Sequence, residues 1–402
     1  MSICWGMWLL AAIFYALDYF QHTAPSVLLK PLAFSLHINP TAVGDIMSIY
    51  FPIYAISQIP AGIILDRYRS GTVLGIACAI VSIGLVVMVS GSETMVIVGR
   101  ILIAAGSSFA FLGALKTASM WLSDAVFPIA VGLTNTIGVI GGVLGQSYLN
   151  HLILVYHWQH AIIFIGVFGF GLAILLLTFL RAQPNCRPVG VKLPLDFSIL
   201  RDYRIWLLAI YAAIMVGVVV NAFSELYDFA FLETTFKLSS QTAANISIMV
   251  FIGIAVGGPC HGIIARGIGK KRWMVLGCLL TILTFSAIIV STNWHLPIAT
   301  LYGLYFLVGF FVSTMLLAFA MVRTYYDKKQ TGMGFALVNM VIGVGGFAFQ
   351  LLLGRIISWI SPDRSGFTQH DFTIGFIVLL VPLCISLFLC VIPKYSNLNI
   401  KN

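Results

Sequence analysis

Charge is what this 402-residue sequence has little of. Only 9% of its residues are Asp, Glu, Lys or Arg, against about 25% in soluble globular chains. So few charges cannot cover a folded body of this size with a water-facing surface. A water-soluble enzyme is excluded, and with 60% apolar residues so is a disordered chain. Paired cysteines are missing too. Cys4, Cys78, Cys186, Cys260, Cys278, Cys384 and Cys390 stand singly, mostly inside apolar runs, and read as small core residues. There is no Gly-rich phosphate loop, no Cys/His metal spacing and no Ser/His/Asp order. Nor do His or acidic residues cluster at one membrane face, as a membrane enzyme would need. The expectation is a protein that is not an enzyme and that holds no metal or cofactor.

What is present is apolar runs of about 20 residues, the length that spans a bilayer as a helix. A membrane barrel is excluded, because its strands alternate apolar and polar residues. Hydropathy predicts an all-α polytopic protein with twelve spans, at 5–29, 43–65, 72–91, 94–120, 127–149, 159–180, 205–232, 241–264, 273–291, 298–322, 332–356 and 372–392. The N-terminus has no basic region or small-residue cleavage site, so it reads as the first span rather than a removed signal. The longest polar stretch, 181–204, separates two bundles of six helices, 1–180 and 205–392, and 393–402 is a tail. The net charge of +9 finds its explanation in topology, not in nucleic-acid binding. With both termini cytoplasmic, sixteen Lys and Arg fall in inner loops and four in outer ones.

The two bundles repeat each other. Gly62-Ile-Ile-Leu-Asp-Arg ends span two, and Gly262-Ile-Ile-Ala-Arg-Gly ends span eight. Phe34-Ser-Leu36 and Phe236-Lys-Leu238 follow spans one and seven. Asn135, Gly141, Gly142 and Gln146 in span five match Asn339, Gly345, Gly346 and Gln350 in span eleven at identical spacing. The offsets are 200, 202 and 204. Parallel six-helix repeats are a transporter architecture with the site at the repeat interface. Spans three, six, nine and twelve are bland and should face lipid, whereas spans one, four and seven carry Asp18, Arg100 and Glu225 and should line the interior.

These few intramembrane charges are the candidate functional residues. Asp18 and Arg100 lie at similar depth, each ~20 Å from the cytoplasmic end at 1.5 Å per residue. They make either a switch, in which substrate takes Arg100 and a proton takes Asp18, or a permanent ion pair bracing the bundle. His22, one turn above Asp18, is a proton-relay candidate or a neutral hydrogen-bonded residue at the outer mouth. Tyr50, Tyr54 and Gln58 share one face of span two and either bind substrate or pack on a neighbouring helix. The amides Asn135, Gln146, Asn339 and Gln350 either bind substrate or bond helix to helix. Glu225, with Asp228 and Glu233, makes an acidic outer vestibule or a solvated helix end. Lys116 can snorkel at the inner end of span four. The outer loop His157-Trp158-Gln159-His160 reads as interfacial.

Gly62-Ile-Ile-Leu-Asp66-Arg67-Tyr68-Arg69 resembles the loop signature of the major facilitator superfamily. Arg69 stands where the second Gly of that signature is usual. A second copy runs from Gly262 to Lys270 and Lys271, with Arg266 in place of the Asp. The resemblance implies that these residues latch a conformation rather than bind substrate. Gly99-Arg100 with Gly106 looks like the family's fourth-helix signature, whose Arg serves proton coupling or substrate binding. The fifth-helix signature of antiporters needs a Pro where Ile140 stands, which disfavours drug/proton exchange. Tyr15 to Asp18, Pro25-Ser26-Val27, Glu225-Leu-Tyr and Phe231-Leu232 are similar to a bacterial branch common in intracellular pathogens. That branch includes importers of amino acids, nucleosides and siderophores, and an Arg is usual in it where His22 stands.

The expectation is a twelve-helix transporter of the bacterial inner membrane, monomeric, with lipid and a small anionic or zwitterionic organic solute as its partners. It would work by alternating access, as a proton symporter with Arg100 on the substrate carboxylate and Asp18 on the proton. A proton-coupled exporter is the alternative, and a membrane sensor a more distant one.

Overall fold

The computed structural model describes residues 2–38, 43, 46–180, 198–293, 297–326, 330–360 and 368–391. Most of the predicted linker 181–204, the tail 393–402 and the side chain of Gln146 fall outside the described residues. Twelve helices among the described residues are long and apolar enough to cross a membrane. Spans one to six are Ile3–Thr23, Ile46–Arg67, Ser70–Met88, Glu93–Trp121, Phe127–Gly145 and Val155–Phe179. Spans seven to twelve are Tyr203–Phe236, Gln241–Ile268, Lys270–Val290, Ile298–Tyr325, Thr331–Ile357 and Gln369–Val391. In hydrocarbon every backbone N–H and C=O must be bonded within its own segment, which is why the apolar runs become helices.

Local chemistry sets the helix ends. Ser92 accepts a hydrogen bond from the Met95 N–H (3.3 Å) and caps span four. Ser239 does the same for span eight through the Thr242 N–H (3.3 Å). Pro25, which has no N–H to donate, splits the predicted 5–29 helix into Ser2–Thr23 and Pro25–Leu36. Spans five and six join at a tight break at Tyr156–His157, with His157 at φ 58°. Trp158 beside it is 6% exposed, so it is packed inside the bundle rather than interfacial.

The chain divides into two compact units. The first is Met1–Ile199 with Arg323–Met340, and the second is Leu200–Val322 with Val341–Asn402. Each unit packs its first helix on its fifth in the same way. A Cβ on Gly141 would lie 2.1 Å from the Ala16 carbonyl oxygen, and one on Gly345 would lie 2.8 Å from the Ala213 Cβ. Trp8 Nε1 donates to Thr134 Oγ1 (2.9 Å) and Thr23 Oγ1 to the Gly142 carbonyl (2.9 Å), tying spans one and five along their length. The left-handed residues His37 (φ 55°) and Lys237 (φ 51°) close the first helices of the two halves. They are 200 positions apart, so the repeat extends to backbone conformation.

The bland helices do turn apolar side chains outward, among them Phe164, Phe168 and Ile174 in span six and Val381, Ile385 and Phe388 in span twelve. Span seven departs from a regular helix. Val216–Tyr227 is π-helical, a wider coil that concentrates at functional sites. Its Gly217 and the β-branched run Val218-Val219-Val220 weaken the α-helical preference there.

Replacing Gly141 with Val should cost about 1–3 kcal/mol through overpacking against span one. Thermal unfolding in detergent checks this. Gly171→Val, where a Cβ meets open space, should leave the midpoint unchanged.

Candidate functional site

In the first unit the candidate residues converge on Tyr50. Its hydroxyl donates to Asp18 Oδ1 at 2.8 Å. The Arg100 guanidinium carbon lies 5.1 Å from the centre of the same ring, within cation–π range. The Tyr54 ring stacks on it at 5.4 Å. The His22 ring meets its edge at 5.6 Å and also contacts Tyr19 and Phe51. Asn339 Nδ2 reaches the Tyr54 hydroxyl at 3.4 Å. Spans one, two, four and eleven thus contribute to one polar, aromatic cluster within this unit.

Equal depth in the membrane does not make Asp18 and Arg100 an ion pair. Asp18, 4% exposed, is bonded to Tyr50, while Arg100, 3% exposed, donates to the Met47 carbonyl (3.0 Å). Arg100 Nε has no partner. Depth fixes position along a helix but not direction around it, and Tyr50 fills the line between the two charges. His22 likewise shares a face with Asp18, yet its ring packs on aromatic neighbours instead of bonding the carboxylate. Gln58 is fully buried with both amide atoms unpartnered, and Asn135 is 7% exposed with a free Nδ2. Buried polar groups without partners are rare in native structures and call for an explanation.

The remaining candidates meet in the second unit at Asn221. Its side chain donates to exposed Glu225 (2.7 Å), and Gln350 Nε2 donates to its carbonyl (3.1 Å). A groove of about 710 Å³ beside them is lined by Tyr227, Phe347, Gln350, Arg355 and Trp359, among others. Asp228 does not extend an acidic vestibule, because it is only 2% exposed.

The loop motif after span two builds a clasp within the first unit. Asp66 accepts from the backbone N–H of Gly332 and of Met333, both at 2.9 Å. These N–H groups open span eleven, where the helix dipole favours an anion. Lys116 also pairs with Asp66, and its ammonium reaches Thr331 Oγ1 at 3.4 Å. Lys116 is therefore neither snorkelling nor part of the Tyr50 cluster; it is 3% exposed and belongs to the clasp. Gly62 is part of the same contact, since a Cβ there would lie 2.7 Å from the Gly332 carbonyl oxygen. Arg67 and Arg69 are exposed. A second tie follows, in which Arg323 bonds Asp124 (2.7 Å) and the Leu122 carbonyl (2.8 Å).

The second copy of the motif does not rebuild the clasp, because Arg266, which stands where Asp66 does, is exposed. Lys270, which opens span nine, and Ala320 stand 200 positions after Ser70 and Met120, which touch through Oγ and Sδ at 4.0 Å. Lys270 Nζ donates to the Ala320 carbonyl at 3.4 Å. Both contacts tie the start of a third helix to the end of a fourth. Gly262 is buried and Lys271 is half-exposed beside it.

Asp66→Ala should strand the Lys116 charge in the bundle and cost about 3–5 kcal/mol. Unfolding midpoints in detergent check this, and adding Lys116→Met should recover part of the loss as a coupling energy between contacting residues.

The sequence matches the family model described as Major Facilitator Superfamily over residues 11–233 and 205–397. It is 22% identical over 368 residues to the hexuronate transporter of Bacillus subtilis (strain 168), covering 85% of each chain. It is 22% identical over 397 residues to a probable galactarate/D-glucarate transporter of Escherichia coli (strain K12), covering 87% of this chain and 86% of that one. An uncharacterized transporter of Bacillus subtilis, YybO, is 27% identical over 151 residues, 37% of this chain and 35% of that protein. The fold is shared with the Escherichia coli fucose:proton symporter FucP at a TM-score of 0.70, with 15% identity over 94% of this chain and 98% of that one. Twelve spans in two matching halves, the Gly62–Arg69 clasp and a family match along nearly the whole sequence make this chain a member of the major facilitator superfamily.

Proposed function

We propose that the protein is a secondary active transporter of the bacterial inner membrane, with both termini cytoplasmic. It takes up a small organic acid in symport with protons, by alternating access, as a monomer and with the proton gradient as its only energy source. The observation that carries the substrate class is Arg100. This guanidinium is buried, holds one backbone carbonyl and a ring face, and has no carboxylate at ion-pair distance among the described residues. An arginine so placed offers its planar fork to a ligand carboxylate. The names of the relatives point the same way, since hexuronate, galactarate and glucarate are all polyhydroxy carboxylates. Hydroxyls of such a solute suit the unpartnered amides of Gln58 and Asn135 and the hydroxyls of Tyr50 and Tyr54. Asn339, Gln146 and Gln350 are further substrate candidates.

Asp18 is the proton carrier in this reading. A carboxylate this deep in a spanning helix without a neighbouring cation is costly unless protonated. Tyr50 supports coupling, because one ring touches the guanidinium while its hydroxyl holds the carboxylate. A solute that draws Arg100 off the ring alters the surroundings of the hydroxyl on Asp18. His22, packed on Tyr50, lies on the outer route to that carboxylate, and Glu225 is an exposed acceptor in the second unit. Gly62, Asp66, Arg67, Arg69, Gly262, Lys270 and Lys271 serve conformation rather than recognition.

Purified protein screened by thermal shift against sugar acids, other organic acids, amino acids and neutral sugars should be stabilised most by a carboxylate-bearing compound. Arg100→Ala should abolish that stabilisation, and a neutral sugar as the best ligand would overturn the substrate class. In proteoliposomes, Asp18→Asn should lose uphill uptake driven by a pH gradient yet keep counterflow exchange. Uphill uptake at the wild-type level in that variant would remove the coupling role. Accumulation that runs only against the direction of proton entry would establish export instead.

A further inference from the structure

One buried charge has no place in that scheme. Asp228 follows the π-helical segment of span seven and is 2% exposed. Ser247 of span eight donates to its Oδ2 at 2.5 Å. Ser224, one turn earlier in span seven, lies near the same carboxylate but outside hydrogen-bond geometry. Tyr305 of span ten faces it closely enough to feel its charge. The Oγ of Ser224 and the hydroxyl of Tyr305 have no hydrogen-bond partner, although the two residues are 4% and 0% exposed. Among the described residues no Lys, Arg or His lies at ion-pair distance from Asp228. Among the described residues the groups that face it are Ser224 and the backbone N–H of Phe229 from its own helix, Ser247 from span eight and Tyr305 from span ten, and only Tyr305 among them is titratable. All four residues belong to the second unit.

A carboxylate withdrawn from water without a counter-charge carries a heavy desolvation penalty. Here the described surroundings supply hydroxyl oxygens and one backbone N–H, but no positive charge. Two hydroxyl oxygens with unused lone pairs beside a carboxylate are a donor set for a hard cation. A purely structural aspartate would leave those hydroxyls without a purpose. We infer that Asp228, Ser224, Ser247 and Tyr305 form a binding site for one small monovalent cation, a proton or Na⁺, separate from Asp18. The π-helical turns contribute by setting Ser224 and Asp228, four residues apart, on the side of span seven that meets spans eight and ten. The inference goes beyond the proposed symport reaction and needs neither its substrate nor its use of Asp18.

The test uses full-length protein in detergent at constant ionic strength. Thermal unfolding is followed as NaCl replaces choline chloride or KCl, for wild type, Asp228→Asn, Ser247→Ala and Asp18→Asn. In parallel, infrared difference spectra between acid and alkaline pH read the C=O band of protonated carboxyls. If Na⁺ is the occupant, Na⁺ alone should raise the unfolding midpoint. Asp228→Asn should lose that rise, and Ser247→Ala should weaken the apparent affinity about tenfold or more. If the proton is the occupant, Na⁺ has no specific effect and one carboxyl band disappears in Asp228→Asn but persists in Asp18→Asn. Should Asp228→Asn fail to fold, Ser247→Ala carries the test through the affinity change or a shift in the pH at which the band appears. Neither Na⁺-specific stabilisation nor a band that depends on Asp228 or Ser247 would overturn the site. An Asp18→Asn result that contradicts the symport reading leaves this outcome unaffected, and the reverse holds as well.

Discussion

A polar group packed between apolar helices must find its partner in the protein or in a ligand. With lipid outside and close-packed helices inside, each charge must meet an opposite charge, a hydrogen-bond partner or a ligand. That constraint sorts the buried charges into two kinds. Asp66 and Lys116 satisfy each other and the helix end at Gly332, and Arg323 is met by Asp124 and backbone carbonyls. These are structural ties. Asp18, Arg100 and Asp228 are buried as deeply but lack an opposite charge among the described residues. Fixed pairs hold the fold in one arrangement, whereas charges left without a counter-ion are where mobile ions and solutes can exert leverage.

The repeat shows how a duplicated scaffold is reused with different chemistry. Spans one and five, and seven and eleven, approach through matching glycines. A tie between the third and fourth helices recurs 200 positions on, with Lys270 on the Ala320 carbonyl where Ser70 meets Met120, whereas the Asp66–Lys116 clasp has Arg266 at its matching place. Packing is preserved because it depends on backbone approach, which is indifferent to side-chain charge. The site residues diverge because nothing in the packing requires the halves to share them.

Much of this was legible in the sequence for a simple reason. Span number and limits follow from hydropathy, since a bilayer filters by length and polarity alone, and the boundaries of span eleven at 332–356 and 331–357 nearly coincide. The Gly62–Arg69 motif also stood out in the sequence, and its Asp66 holds the first turn of span eleven. What hydropathy could not supply was direction around the helix axis. Asp18 and Arg100 share a depth but not a bond, and Lys116, near a helix end, turned inward to Asp66 instead of outward to water. Asp228 was hidden for a second reason. It follows π-helical turns, which no 3.6-residue periodicity reveals, and its neighbours Ser224, Ser247 and Tyr305 are unremarkable residues on three helices.

Those wide turns also bear on how the two halves came to differ. Ala16 and Ala213, which face the matching glycines of spans five and eleven, are 197 positions apart, while His37 and Lys237 at the ends of the same helices are 200 apart. The stretch from Ala213 to Lys237 therefore holds three more residues than the stretch from Ala16 to His37, and it contains the wider coil Val216–Tyr227. An insertion taken up in this way leaves both ends of a span in their old contacts while it re-aims the residues within. For a duplicated gene confined to a bilayer of fixed thickness, that is a route to a new interior face that does not require the rest of the bundle to be repacked.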